Sequence, residues 1–151
     1  MKKKPHPYSW LLKLANEGDP KAQFELAFRL AGGQGFKQDS DEAARWFLSA
    51  AELGLPEAQN ELGSFFLYGD EGFPQNESLA AKWFLAAAEQ GFAESQLSLG
   101  QMLRDGVGIP KDEAEGKKWL DLAAKNGLTE DNAADENGLP EDNSDADDDR
   151  Q

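Results

Sequence analysis

The sequence predicts an all-α protein, an α–α superhelix (solenoid) of about three and a half helix-turn-helix repeats of 36–37 residues. Tryptophan recurs at positions 10, 46, 83 and 119, with spacings of 36, 37 and 36. Glycine recurs at positions 18, 54, 91 and 127 with the same spacings. The segment WFLSAAELGLPEAQNELG, from position 46, is matched by WFLAAAEQGFAESQLSLG, from position 83. Internal periods of this length are typical of helical arrays.

The chain is expected to begin with a half-repeat in residues 1–18, a single helix from Tyr8 to Glu17. Three full repeats follow in residues 19–128. Each opens with a first helix, predicted over residues 20–32, 56–68 and 93–105, in which apolar or small residues recur at i, i+4 and i+8. The next position along each helix carries Ala27, Gly63 or Gly100, small enough for a neighbouring helix to approach closely.

A glycine-containing turn leads to the second helix of each repeat. Asp39, Asn76 and Asp112 stand where an N-cap is expected, because each side chain can accept a bond from an otherwise unpaired backbone N–H. The second repeat has one extra residue in its turn. Glycines at 54, 91 and 127 are expected to end these helices in the left-handed conformation, which costs glycine little.

Charge divides the chain in two. Residues 129–151 hold ten acidic residues and one arginine, so they carry −9 of the formal net charge of −14. Lacking aromatic residues, this segment is predicted to be a disordered acidic tail. It could serve solubility, contact a basic partner or the N-terminal lysines, or mimic nucleic acid.

Several function classes are disfavoured by composition. The net charge of −14 argues against nucleic acid as a partner, since phosphate needs basic residues. The chain has no cysteine, which is compatible with the cytoplasm, and no apolar stretch long enough for a membrane span or a signal peptide. His6 is the only histidine. No catalytic, metal or cofactor motif is present, so we expect neither an enzyme nor a cofactor.

The repeated pattern resembles the SLR (Sel-one-like repeat) family, relatives of the tetratricopeptide repeats. The matching features are Leu-Gly, a Gly-x-Gly turn and Ala-x-x-Trp-Phe-x-x-Ala-Ala-Glu-x-Gly, over about residues 10–128. The resemblance implies a right-handed superhelix whose first helices line a concave surface. It also implies a non-enzymatic adaptor or scaffold for a protein partner, of a kind frequent in bacteria. Some bacterial members carry a cysteine pair in each repeat, whereas this chain has none.

By this resemblance, the partner-binding residues lie on the faces of the first helices that point away from the core. They are Lys21, Phe24, Phe28, Asn60, Ser64, Leu67, Tyr68, Leu97, Gln101 and Arg104. Phe24, Phe28 and Tyr68 are the expected anchors, because exposed aromatic clusters mark interaction sites. The alternative is that these aromatic residues pack against the neighbouring second helix as ordinary core. The four tryptophans are interpreted as core residues, because each occupies the same place in its repeat.

The leading hypothesis is therefore an adaptor that holds a partner peptide or helix on its concave face. The alternative function is an acidic inhibitor or immunity-type protein that blocks a basic enzyme. A third hypothesis is weak self-association through the C-terminal repeat, where the helix around Trp119 has no following repeat to cover it.

Overall fold

The structure, a computed structural model, describes residues 2–70 and 72–135 and contains eight helices within them. They are α1 (Ser9–Asn16), α2 (Pro20–Gly32), α3 (Ser40–Glu52), α4 (Pro56–Tyr68), α5 (Glu77–Glu89), α6 (Ala93–Asp105), α7 (Glu113–Lys125) and α8 (Glu130–Asp135). The three first helices coincide with the predicted ranges. None of the helices in these residues is both long and apolar enough to cross a bilayer.

From α1 to α7, each helix packs against the helix that follows it in the chain, and the first helices α4 and α6 also touch. Three helical hairpins, α2–α3, α4–α5 and α6–α7, therefore stack in chain order behind the single helix α1. Contacts of this kind make an array in which a repeat is stabilised mainly by its immediate neighbours.

The predicted caps begin the second helices. The side chains of Asp39, Asn76 and Asp112 accept from the backbone N–H three residues further on, at 2.9, 3.0 and 3.0 Å. The same three residues donate their own backbone N–H to the preceding first helix, at 2.7 to 3.0 Å. Each hairpin is thus closed by one residue that starts a helix and joins it to its partner. The glycines at 54, 91 and 127 have φ near +90°, as expected for helix ends.

Small residues let the helices of a hairpin approach closely. A methyl group added at Gly63 would lie 2.6 Å from two ring carbons of Phe84. One added at Gly100 would lie 2.7 Å from the Cγ of Leu120 and 3.0 Å from the carbonyl oxygen of Gly116. The predicted role of these two glycines is confirmed.

A buried glutamine near the start of each first helix bonds to the end of the preceding helix. The Nε2 atoms of Gln23, Gln59 and Gln96 donate to the carbonyl oxygens of Ala15, Ala51 and Ala88, at 3.0, 3.2 and 3.2 Å. All three glutamines are buried. Each of these carbonyl oxygens, at a helix end, also accepts from the backbone N–H of the glycine three residues further on, so the glutamine supplies a second bond to it.

The side-chain oxygens of these three glutamines differ in whether they accept a hydrogen bond. Gln59 Oε1 accepts from Gln90 at 2.9 Å, and Gln96 Oε1 accepts from Asn126 at 3.0 Å. The buried Gln23 Oε1 has no hydrogen-bond donor among the described residues. Leu53, 53% exposed, occupies the position that Gln90 and Asn126 hold in the later repeats. The first repeat therefore lacks one amide contact.

The prediction that all four tryptophans are core residues is wrong for Trp10, which is 56% exposed. Trp46, Trp83 and Trp119 are half-buried and pack against the two core clusters. Trp10 lies on α1, and no described helix precedes α1 to cover it. The four tryptophans thus occupy equivalent positions in the sequence, but the one on the first helix of the array is much less buried than the other three.

Helix α8 lies in the segment that composition predicts to be a disordered tail. Thr129 and Asn132 exchange hydrogen bonds there: the Thr129 N–H donates to Asn132 Oδ1 at 2.6 Å, and the Asn132 N–H donates to Thr129 Oγ1 at 3.3 Å. This reciprocal cap stabilises a helix start without any apolar core. The rest of the predicted tail, residues 136–151, lies outside the described residues.

Candidate partner-binding surface

The ten residues predicted to bind a partner lie on the first helices α2, α4 and α6, and we call them the candidate surface. They occupy equivalent positions, so that Phe24, Asn60 and Leu97 correspond to one another, as do Phe28, Ser64 and Gln101. The side chains at equivalent positions differ strongly in chemistry. The candidate surface is therefore aromatic at its N-terminal end and polar at its C-terminal end.

Phe24 and Phe28 form the N-terminal part of the candidate surface, beside the exposed Lys21. Their ring centroids are 4.8 Å apart in an edge-to-face arrangement. The Phe47 ring of α3 is also close, with its centroid 5.7 Å from that of Phe24 and 5.0 Å from that of Phe28. Phe24 is half-buried, whereas Phe28 is 43% exposed. The two rings thus pack on the second helix, as the alternative interpretation expected, and Phe28 still presents much of its ring to solvent.

The aromatic contacts continue beyond the residues chosen from the sequence. Phe47 meets Phe65 of α4 at 5.2 Å, and Phe65 stacks on Phe73 at 5.3 Å with the rings 9° from parallel. Sequence reasoning missed Phe65 and Phe73 as neighbours of the candidate surface. The extra residue in the second repeat's turn was the one signal that this loop departs from the others.

The middle of the candidate surface is mixed. Asn60 Oδ1 accepts a hydrogen bond from the buried Ser95 Oγ at 2.8 Å, so Asn60 joins two repeats. Tyr68 is 78% exposed and takes part in none of the ring contacts that join Phe24 and Phe28 in the described residues. The structure therefore does not bring the three predicted anchors into one cluster.

Residues from two repeats meet in a shallow depression of about 150 Å³. Its lining includes Leu67, Tyr68 and Gln101 of the candidate surface, together with Met102 and Val107. Ser64 is half-buried one helical turn before Tyr68. This depression is the place where predicted residues of α4 and α6 come together.

At the C-terminal end, Leu97 is buried, with 7% of its area exposed, so the prediction that it is available to a partner is wrong. Gln101 and Arg104 are half-buried, and both donate to Glu130 of α8. Arg104 Nη1 lies 2.7 Å and Gln101 Nε2 lies 3.1 Å from Glu130 Oε1. Part of the candidate surface is thus engaged by the helix that follows the last repeat.

The Arg104 guanidinium is fixed on a second side by Asp105, to which its Nε donates at 3.0 Å. These hydrogen bonds to the guanidinium hold the pKa values of Asp105 and Glu130 below their ordinary values. The bonds to Asp105 and Glu130 in turn raise the pKa of Arg104. All three groups are therefore charged at neutral pH.

The described residues contain no group of three or more histidine, cysteine, aspartate or glutamate side chains arranged to hold a metal ion. His6 lies against an aromatic ring instead, with its centroid 4.5 Å from that of Phe36. Tyr8 stacks on the same ring at 5.7 Å and carries the Arg29 guanidinium 4.3 Å above its own centroid. The N-terminal segment thereby packs on the first hairpin.

Three solved structures similar to this chain come from bacterial proteins. A Sel1 repeat protein from Oxalobacter formigenes is 38% identical with a TM-score of 0.77, and the match covers 85% of this chain and 96% of that one. The protective antigen c5321 of uropathogenic Escherichia coli, which displays an SLR fold, is 34% identical with a TM-score of 0.73. That match covers 79% of this chain and a quarter (25%) of the antigen.

The cysteine-rich protein B of Helicobacter pylori shares the fold, at 22% identity and a TM-score of 0.61, with 86% of this chain and 97% of that one covered. A search of curated proteins found no significant match. The family model for the Sel1 repeat matches three times, at residues 20–55, 56–92 and 93–128. These boundaries coincide with the three hairpins and the glycines that end them. The chain therefore belongs to the Sel1 repeat family, whose members generally mediate protein–protein interactions.

Proposed function

We propose that this protein is a non-enzymatic adaptor that holds a peptide or helix of a protein partner on the concave face formed by its first helices. The observation that carries the proposal is the exposure of Phe28 and Tyr68, two large aromatic side chains on adjacent first helices. Exposed aromatic residues contribute much of the energy of protein interfaces. A chain without cysteine folds without disulfide bonds, so the cytoplasm is the compartment we propose for this role.

The test is affinity capture from native cell lysate with the wild-type protein and a Phe24→Ala, Phe28→Ala, Tyr68→Ala variant. A Tyr68→Ala single variant accompanies it, because this exposed residue can be truncated with little effect on folding. The matched control is Leu53→Ala with Leu122→Ala, which removes two exposed apolar side chains outside the candidate surface. Circular dichroism checks that every variant remains helical.

We expect the triple variant to lose a partner that the wild type and the control retain, with a weaker loss for Tyr68→Ala. Capture of the same partners by all four proteins would contradict the concave-face proposal. The binding region of a captured partner can then be reduced to a peptide, and its affinity measured by calorimetry.

The acidic-inhibitor function is retained as a second candidate because of the net charge of −14. Inhibition driven by charge should weaken steeply when the salt concentration rises from 0.05 to 0.5 M, about a threefold shortening of the Debye length. Binding through exposed aromatic side chains should change little over the same range. Retention of captured partners in a salt gradient separates the two candidates.

Self-association through the C-terminal repeat is a third candidate. Ala124 is exposed, whereas its equivalents Ala51 and Ala88 are buried in the earlier repeats. An apolar residue that is core elsewhere in the array thus faces outward on α7. A mass that rises with concentration in light scattering would support this candidate, and a constant monomeric mass would exclude it.

A further inference from the structure

A pocket of about 300 Å³ opens between the first and second repeats, and we call it the inter-repeat pocket. Its walls include Ala31 at the end of α2, Ser40 and Phe47 of α3, Phe65 of α4, and Asp70 and Phe73 in the turn between α4 and α5. This volume is at the lower end of the range for small-ligand pockets, so it suits one side chain rather than a whole ligand.

Two departures from the repeat pattern meet at this pocket. Ala31 stands where the second repeat has Leu67, and the turn with the extra residue supplies Asp70 where the third repeat's turn supplies Val107. Between the second and third repeats, Leu67 and Val107 pack against the core cluster around Phe84. At that junction the two apolar side chains leave the depression of about 150 Å³ described above, whereas the inter-repeat pocket has about twice that volume and a carboxylate on its wall.

The pocket is held open by its own loop. Asp70 and Phe73 exchange two backbone hydrogen bonds, of 3.0 and 2.9 Å, which close the turn. The buried Phe73 stacks on Phe65, and Phe65 meets Phe47 edge to face. Three packed rings and a doubly bonded turn thus fix the walls before any ligand arrives.

The chemistry of the walls suits a cation. Aromatic rings attract a guanidinium or ammonium group through their quadrupole, and a carboxylate adds direct charge attraction. Among the described residues that line the pocket, Asp70 is the ionisable one. The two adjoining depressions are lined by Asp39, Asp41 and Glu42 against Lys37 and Arg45, so the surroundings are also acidic on balance.

We propose that the inter-repeat pocket binds the basic side chain, arginine or lysine, of the partner peptide. The inference rests on the proposed function, since that peptide would lie on the candidate surface. Phe47 connects the two sites: it forms a pocket wall and contacts both Phe24 and Phe28. An apolar residue of the peptide packs on Phe28, and a nearby basic residue enters the pocket.

The test needs no partner. N-acetylarginine amide is titrated into the full chain, and the methyl resonances of Ala43 and Ala44, which line the pocket, are followed by NMR. The neutral norleucine and acidic glutamate amides are titrated in parallel. Ala31→Leu fills the pocket with the residue that the second repeat uses, and Asp70→Asn removes the charge. Ala114→Leu, the same change at an exposed site on α7, is the matched control.

We expect saturable shifts with the arginine amide, about fivefold weaker binding of the norleucine amide, and a loss of about fivefold in Asp70→Asn. Ala31→Leu should abolish the shifts and Ala114→Leu should keep them. Equal binding of the norleucine amide, or unchanged binding by Ala31→Leu, overturns the proposal. If Ala31→Leu fails to fold, unchanged affinity in Asp70→Asn overturns it.

The affinity-capture experiment tests the adaptor function, and the arginine-amide titration tests the pocket, so either proposal can be contradicted without the other. Partner loss in the Phe24, Phe28, Tyr68 variant without any binding of the arginine amide leaves the adaptor function in place and removes the pocket. The opposite result is also possible: the arginine amide binds in the pocket, while the variant captures the same partners as the wild type. That result would leave the pocket in place and remove the adaptor function on the concave face.

Discussion

Gln23 is the residue whose surroundings most clearly depart from those of its equivalents. Its Oε1 is buried and unpaired among the described residues, while Gln59 and Gln96 have amide donors from Gln90 and Asn126. An unsatisfied buried acceptor costs more than a hydrogen bond contributes. The first repeat thus lacks a stabilising hydrogen bond that the other two repeats have at the equivalent position.

Leu53→Gln should place an amide where the second repeat has Gln90 and so supply the missing donor. We expect an increase of about 1 kcal/mol in the free energy of unfolding, measured by urea denaturation. Gln90→Leu is the reciprocal variant, and it should lower that free energy because it leaves Gln59 Oε1 and the Gly54 carbonyl without this donor. Equal stability of the Leu53→Gln variant and the wild type would contradict the assignment.

The contact of Glu130 with Arg104 should depend on pH. Because the pKa of Glu130 is lowered in the folded chain, the contact contributes fully above the ordinary value of 4.5 and is lost as the pH falls through the lowered pKa. A carboxyl-carbon NMR titration should show Glu130 titrating below 4.5, and Arg104→Gln should return it toward that value.

Glu57 provides the control, since it holds the equivalent position at the start of α4 and is exposed. Glu130→Gln should increase amide exchange in residues 130–133, whereas Glu57→Gln should leave exchange in α4 unchanged. The interpretation fails if both variants behave alike.

At the scale of the helix, packing within a hairpin is set by glycines on facing surfaces. A methyl group at Gly116 of α7 would lie 2.8 Å from the Gly100 carbonyl oxygen and 3.0 Å from the Arg104 nitrogen. Both neighbours are backbone atoms, which cannot turn aside as a side chain can. The α6–α7 distance therefore depends on the absence of a side chain at this position.

Gly116→Ala should lower the free energy of unfolding by about 1–3 kcal/mol, because the helices must separate to admit the methyl group. Gly32→Ala is the matched change at the end of α2, where the added methyl would meet only the Gln34 side chain, at 3.4 Å or more. There we expect stabilisation of about 0.5 kcal/mol through reduced freedom of the unfolded chain. Urea denaturation of both variants checks the opposite signs.

The helices could be predicted from the sequence because each structural position recurs in several repeats. Three copies agree on the caps at Asp39, Asn76 and Asp112 and on the ends of the first helices. Helix α8 was missed because its first turn rests on the exchange between Thr129 and Asn132, whereas the prediction weighed only apolar content. The repeat period itself points to a fourth first helix at this place.

The candidate surface could be predicted only in part, because its properties depend on the positions at which the three repeats carry different residues. Comparison of the repeats assigns Phe24, Asn60 and Leu97 to one position but does not reveal that Leu97 is buried or that Asn60 bonds to Ser95. The inter-repeat pocket arises from Ala31 and a loop that lie 39 residues apart. Such a feature requires the helices to be placed side by side.

For the whole molecule, the linear arrangement of contacts predicts that stability is greatest in the middle and least at the ends. Trp83→Ala should cost about 3 kcal/mol because this ring packs against the core of the preceding repeats. Trp10→Ala should cost only about 0.5 kcal/mol, since the ring is largely exposed.

Hydrogen exchange gives the second measurement of this gradient. Amides of α1 and α8 should exchange fastest and those of α4 and α5 slowest. Uniform protection from α1 to α8 would show that the array unfolds as one unit.

The amide contact within each repeat also determines which repeat can be copied to lengthen the protein. A duplicated second repeat brings its own Gln59 and Gln90, so each new copy would have both donor and acceptor. A duplicated first repeat would add another Gln23 and Leu53, and so would repeat the unpaired oxygen in every copy. For the design of longer arrays, the second repeat is therefore the module to multiply, and the first is suited only to the beginning of the array.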